Sequence, residues 1–136
     1  MKASDLPIDY NMCEILEHNL EHRADKTALL SEHGTMTFRE VSNQVNQIGN
    51  ALTRLGVRFG ECVAILCPDR PEWVTTFFAT AKIGGVVLGM NTLLTTEEYD
   101  YILKDARVRV LVIHDSLLAL VEPILRNHNI LSKVIV

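Results

Sequence analysis

His18, Glu21 and His22 are the first residues whose spacing could do chemistry. Two histidines four apart on one helix face can grip zinc, and a glutamate between them can serve as a base. The pattern is short, it lies in a segment rich in Glu and His, and no third ligand stands out downstream. A solvated helix face is therefore expected, and no metal site. Gly84, Gly85 and Gly89 invite a phosphate-loop reading. Phosphate loops run from strand to helix, so that a helix N-terminus meets the anion. Here the double glycine runs from helix to strand and no Gly-Lys-Ser/Thr follows, which fits a helix cap and close helix-to-sheet packing. Asp69 and Asp115 each follow an apolar strand, where α/β sheets place ligands. A phospho-acceptor site would need an acidic cluster and a lysine after a later strand, but Lys133 comes at the start of its strand, not after it. His114, Asp115 and Ser116 read as a turn-and-cap cluster, with Ser116 a natural N-cap. Cys62 and Cys67 share one strand with side chains on opposite faces, which excludes a disulfide or common metal there. No catalytic residue emerges from these groups.

The elements that must position them follow from periodicity. Asn11 reads as a helix N-cap with Glu14 as its capping-box partner, and Met12, Ile15, Leu16 and Leu20 form an apolar stripe. Thr27 to Ser31 and Thr35 to Thr37 read as a hairpin around the turn Glu32-His33-Gly34. Thr37 and Glu40 open a second helix, whose apolar face is Val41, Val45, Ile48, Leu52 and Leu55 and whose cap is Gly56. Cys62 to Cys67 is an apolar run suited to a strand buried on both faces. Pro71 starts the next helix, with Trp73, Val74, Phe77, Phe78 and Ala81 as its apolar residues. Val86 to Met90 reads as a second buried strand, and Thr95 with Glu98 as a third capping box. Val108 to Ile113 is a third strand. Leu117 to Asn127 reads as a helix that Pro123 kinks or stops early, and Lys133 to Val136 opens a fourth strand. Strand and helix alternate, so the fold class is α/β. The expected form is a layered sandwich around a mostly parallel sheet of βαβ units, preceded by a helix and a small β-hairpin.

Composition limits what such a domain could do. The chain has 136 residues, enough for one domain or part of one. Hydrophobic residues make up 48% and charged residues 22%, which excludes wholesale disorder. A formal charge of −4 with no basic stripe argues against nucleic acid as a partner. No apolar run approaches the roughly 20 residues that cross a bilayer, so no membrane is expected as a partner either. Residues 1–10 are a polar arm without a signal-peptide core. Three cysteines without framework spacing fit the reducing cytoplasm. The buried-type strands ask for cover on both faces and beyond both edges, which leads to the expectation of a homo-oligomer.

A resemblance carries function further than the physics does. Asp25, Lys26 and Ala28 precede the first strand. Thr37, Phe38 and Glu40 are followed by Val45-Asn46, Ala51-Leu52 and Leu55-Gly56-Val57. Gly60-Glu61 leads into Val63-Ala64, and Pro68 is spaced from Glu72 and Phe78. Lys82 and Gly84 come next, then Asn91, Leu94-Thr95 and Tyr101-Ile102-Leu103. In this order and spacing the motifs resemble the adenylate-forming (AMP-binding) acyl- and aryl-CoA synthetases, from about residue 11 to 136. The stretch Asn91 to Thr95 further resembles the benzoate and 4-hydroxybenzoate-CoA ligase branch.

The resemblance implies that residues 1–136 are one N-terminal subdomain of a larger ATP-dependent carboxylate-CoA ligase. Such enzymes join a carboxylic acid to AMP with release of pyrophosphate, and CoA then displaces the AMP. ATP, Mg2+ and CoA would serve the parent enzyme. The phosphate loop, the magnesium-binding acid and the catalytic lysine of the family lie beyond these motifs, so this stretch alone is expected to be inactive and without cofactor. The loop Asn91, Thr92 and Leu93 matches the family's CoA-entrance loop, with Asn91 expected to fix it by an Asx-type hydrogen bond. Leu93 departs from the family pattern, since many relatives carry an arginine there that helps hold a CoA phosphate. Gly89 also departs, from a proline or another small residue. The other reading is a stand-alone α/β binding or interaction module without catalysis.

Overall fold

The computed structural model describes residues 10–32, 34–126, 131 and 133–135. Its elements run α1 (Glu14–Arg23), β1 (Thr27–Ser31), β2 (Gly34–Thr37), α2 (Phe38–Arg54), β3 (Cys62–Leu66), α3 (Pro71–Lys82), β4 (Val86–Gly89), α4 (Thr96–Asp105), β5 (Val108–Ile113), α5 (Asp115–Leu125) and β6 (Lys133–Ile135). β1 and β2 form the antiparallel hairpin, and a four-stranded parallel sheet has the order β4-β3-β5-β6. The α/β class and the repeated βαβ architecture are as the sequence predicts.

The route through this sheet decides which face each helix covers. β3 to β4 steps one way, whereas β4 to β5 and β5 to β6 step the other way. Right-handed crossovers in opposite directions put their helices on opposite faces. One face carries α4 and α5, where Tyr99, Leu103 and Val121 pack on Ala64, Leu66 and Leu111. The other carries α2 and α3, where Leu52, Ile48 and Ile83 pack on Val63 and Val110. β3 is buried along its whole length.

Local capping is strong. Thr37 with Glu40 and Thr95 with Glu98 both form complete capping boxes. Gly56 (φ +89°) closes α2, donating to the Thr53 carbonyl at 3.0 Å while Val57 donates to the Leu52 carbonyl at 3.1 Å. Gly84 and Gly85 close α3 in the same way onto Ala81 and Thr80. A Cβ at Gly85 would stand 3.3 Å from the Glu61 carbonyl, so the double glycine does serve close packing.

Four expectations need correction. Asn11 makes no capping box with Glu14. Its Oδ1 accepts from the Cys13 amide (2.8 Å), its Nδ2 donates to the Ala81 carbonyl (2.8 Å), and α1 begins without a side-chain cap. The side chain is used to tie α1 to α3, which leaves Met12 and Ile15 about half exposed and buries Cys13 and Leu16 instead. β4 is an edge strand with Val86 exposed, because an apolar run cannot distinguish a central strand from an edge. α3 buries Thr75, Thr76, Ala79 and Thr80, while Trp73, Phe77 and Phe78 stay half-buried. α2 crosses here at Gly49, where an added Cβ would lie 3.4 Å from Ile83 and 3.7 Å from the Ala79 carbonyl, so only small side chains fit between the helices. The buried Thr80 hydroxyl donates back to the Thr76 carbonyl (2.9 Å). Finally, α5 begins at Asp115 with His114, not Ser116, at the N-cap, and it runs through Pro123 to Leu125. Asn127, Val136, His33 and the arm over residues 1–9 lie outside the described residues.

Candidate functional site

Two places at the carboxyl end of the sheet hold the groups with chemistry. The first is the loop after β4. Asn91 Oδ1 accepts from the Leu93 amide (2.9 Å), the Asx-type bond expected of it. The Asn91 carbonyl accepts from the Tyr99 hydroxyl (2.9 Å), and the Tyr99 ring is fully buried beneath α4. Thr95 then caps α4. Its hydroxyl accepts from the Glu98 amide, and the Glu98 carboxylate accepts from the Thr95 amide (2.7 Å). The Thr95 backbone bond, then the side-chain bond, hold the Glu98 carboxyl below its ordinary range. Between these anchors the loop presents Thr92 and the side chain of Leu93, 88% exposed. An alkyl group there offers no hydrogen bond to a phosphate.

The second place joins the ends of β3 and β5, and it was only partly visible in the sequence. From β3 the chain leaves to one face through α3, and from the adjacent β5 it leaves to the other through α5. Neighbouring parallel strands whose connections diverge in this way open a crevice beyond their carboxyl ends. An open cavity of about 660 Å3 lies there, walled by Ile48, Leu52, Ile65 and Val112, with Arg70, Glu72, His114 and Asp115 as the charged and polar groups on its lining. Arg70 Nη1 donates to His114 Nε2 across 2.6 Å. A guanidinium has no acceptor, so Nε2 must accept and Nδ1 must carry the ring proton. Nδ1 then donates to Ser116 Oγ (2.8 Å) or Asp115 Oδ1 (2.9 Å), and the Ser116 amide goes to Asp115 Oδ1 (2.7 Å). Arg70 Nε is screened from water and has no hydrogen-bond partner among the described residues, since Glu72 Oε2 is 3.9 Å away. Burial first, then the Glu72 carboxylate, push the Cys67 thiol above its ordinary range.

The remaining sequence candidates stay apart. His18 and His22 lie exposed on α1, and among the described residues no three His, Cys, Asp or Glu side chains converge to hold a metal. Cys62 is buried under the α4–α5 face, whereas Cys67 lines the crevice on the other side, and both are free thiols. Asp115 lines the crevice, whereas Asp69 lines a separate pocket with Leu29, Leu30 and Trp73. Asn46 and Lys82, both in the motifs quoted above, meet each other. Lys82 Nζ donates to Asn46 Oδ1 (2.8 Å) and pairs with Glu17, which ties α1, α2 and α3 together. Among the described residues no helix is long and apolar enough to cross a membrane.

A parallel α/β unit with a crevice and a capped loop at the carboxyl ends of its strands belongs to the class of open α/β sheets, which bind ligands at that end. Comparison with known proteins gives the family: the AMP-binding enzyme family matches residues 16–136, and the chain belongs to it. The chain is 34% identical to the benzoate–CoA ligase of Thauera aromatica over 98% of its own length and 26% of that protein. It is 34% identical to the 3-hydroxybenzoate–CoA/4-hydroxybenzoate–CoA ligase of the same organism over 74% of the chain and 19% of that protein. Among solved structures it superposes with a TM-score of 0.95 and 55% identity on the anthranilate CoA ligase AuaEII in complex with anthranoyl-AMP, covering 98% of this chain and 26% of that one. The chain thus spans about a quarter of the length of the first of these ligases and of the solved structure.

Proposed function

We propose that this chain is the N-terminal part of an ATP-dependent carboxylate–CoA ligase acting on an aromatic acid in the cytoplasm. The observation that carries this reading is the family match over residues 16–136, joined to aryl-CoA ligases that are similar along nearly the whole chain. In the parent reaction ATP adenylates the carboxylate and releases pyrophosphate, and the CoA thiol displaces AMP. This chain's share is structural. Its sheet, capped helices and Lys82–Asn46–Glu17 tie form one wall, and the loop Asn91, Thr92 and Leu93 borders the CoA entrance. The magnesium-binding acid, the phosphate loop and the catalytic lysine of the reaction are expected in other parts of the parent enzyme.

The reading is tested first on the gene. The reading frame should continue past Val136 into a Ser/Thr/Gly-rich loop, and a natural stop codon there would favour a stand-alone binding module. The 136 residues alone should show no pyrophosphate exchange with benzoate or hydroxybenzoate above a blank. In the longer protein, Leu93→Arg should lower the Michaelis constant for CoA by at most roughly tenfold, since an exposed charge pair contributes about 1 kcal/mol or less. It should leave adenylation untouched. A changed adenylation rate, or an unmoved CoA constant, would remove the loop from the CoA site. Self-association through the open β4 edge, beside exposed Val86 and Phe59, accounts for the proposed homo-oligomer. A strictly monomeric species by light scattering at high concentration would sink that part.

A further inference from the structure

We propose that Arg70 and His114 form a proton-operated clasp across the mouth of the crevice. Closed, the clasp ties the start of α3 to the start of α5. A proton on His114 opens it, and Arg70 passes to Glu72. The inference uses only this chain's own residues and does not rest on the ligase reading.

The clasp joins two helix starts that lie on opposite faces of the sheet. Arg70 is the N-cap residue of α3 and His114 that of α5, and the strands before them, β3 and β5, are neighbours. Their side chains meet in the bond from Arg70 Nη1 to His114 Nε2 (2.6 Å). This bond needs a bare Nε2, because a guanidinium only donates. A second proton on the ring, taken from water, sets two donors and two like charges against each other at that contact. On its other side the ring loses nothing. Nδ1 keeps its proton, with Asp115 Oδ1 at 2.9 Å as a counter-charge. Arg70 also has a place to go. Its Nε is buried without a hydrogen-bond partner among the described residues, and Glu72 Oε2 stands at 3.9 Å, inside ion-pair range and outside bonding distance. An unpaired buried donor is costly, so closing that gap offsets the bond given up to His114. The two arrangements trade one Arg70 bond for another, which lets a single proton bias them. The groups facing His114 agree with this. Cys67 and Arg70 come from the turn after β3, Glu72 from α3 and Asp115 from its own helix, whereas α2 and β6 bring only Ile48, Ala51, Leu52 and Ile135 to the lining. With the ring charged, the rim resolves into two opposite-charge pairs, Arg70 with Glu72 and His114 with Asp115.

The 136-residue chain, labelled with nitrogen-15, is followed by NMR from about pH 8 to about pH 5, the span over which an imidazole changes charge. At the alkaline end His114 should show the tautomer with Nδ1 protonated and Nε2 bare. As the ring takes its second proton, the Arg70 Nε–H signal and the Glu72 and Ser116 amides should move with the same midpoint. His114→Asn keeps an acceptor and a helix cap but cannot titrate, so the clasp should stay closed and the Arg70 Nε–H signal should stay flat. At the acid end, Arg70 Nε–H should exchange with water at least roughly threefold faster in Glu72→Ala than in the unchanged chain at the same pH, because its new acceptor is gone. An Nε2–H tautomer at the alkaline end, or a ring that takes no proton over this span, would overturn the proposal. So would Arg70 and Glu72 signals that stay still while the ring titrates, an Arg70 transition that survives His114→Asn, or equal exchange in Glu72→Ala.

Discussion

The loop after β4 and the crevice after β3 and β5 stand at the same end of one sheet, and they use their polar groups in opposite ways. In the loop, Asn91 gives its side-chain oxygen to the Leu93 amide and its carbonyl to Tyr99, and Thr95 and Glu98 serve each other. What reaches solvent at the tip is the alkyl chain of Leu93. In the crevice, Arg70 is placed by His114 with its Nε–H left without an acceptor among the described residues. A loop that satisfies its own groups keeps a shape and can border a site. The crevice instead sets apolar walls beside a mixed rim of Arg70, Glu72, His114 and Asp115. The difference separates a loop closed on itself from a crevice left open within a single layer of the fold.

The comparison can be broken first at Tyr99. Tyr99→Ala should cost about 3–5 kcal/mol, because it empties a fully buried position under α4. Arg70→Met should change stability by about 1 kcal/mol or less, as expected where no buried network is lost. Urea denaturation of both variants checks this, and equal losses would mean that the crevice pair is scaffold after all. Tyr99→Phe isolates the hydroxyl. A loss of about 1–2 kcal/mol is expected, since the Asn91 carbonyl is left without its donor, together with faster amide exchange at Leu93. Asn91→Ala should cost about 1 kcal/mol, and Asn91→Asp, which keeps an acceptor, should restore most of it. If Asp rescues nothing, the Asx bond does not hold the loop.

Acid should loosen the capped starts of α4, on the loop side, and of α2. The Glu98 carboxyl is held below its ordinary range by the Thr95 backbone and side-chain bonds, and Glu40 is held by Thr37 in the same way. A depressed folded-state pKa gives stability that is present above the unfolded-state pKa and is lost as pH falls through the folded one. Amide shifts of Thr95 and Glu98 should therefore titrate together in the acid limb below the usual carboxylate range. Glu98→Gln should abolish that step, and Glu97→Gln should leave it intact. A step that survives Glu98→Gln would sink the capping account.

The smallest effect is expected beyond α4. Arg107 takes the left-handed position (φ +49°) that glycine fills after α2 and α3. Arg107→Gly should stabilise the chain by about 0.5–1 kcal/mol through relief of that strain, and a lowered thermal midpoint would show that the arginine side chain contributes more than the backbone loses.

Much of the loop was legible in the residues, whereas little of the crevice was. Thr37 with Glu40, Thr95 with Glu98, the glycine caps at 56 and 84, and the Asx bond of Asn91 each join partners within a few residues. Short-range chemistry can be read from order alone. The alternation of apolar runs with helical stripes likewise determined the α/β class. Tertiary structure decided the rest. β4 became an edge because the chain reversed direction after it, and an apolar run carries no record of strand order. α3 turned its threonines inward and left its aromatics half-buried because α2 crosses it at Gly49. Arg70 and His114, 44 residues apart, meet because β3 and β5 are neighbours despite the strand and two helices between them. Residue spacing along the chain determined the caps and periods. Only the crossovers, which bring distant strand ends together, could create a site from groups that look like ordinary turn residues in the sequence.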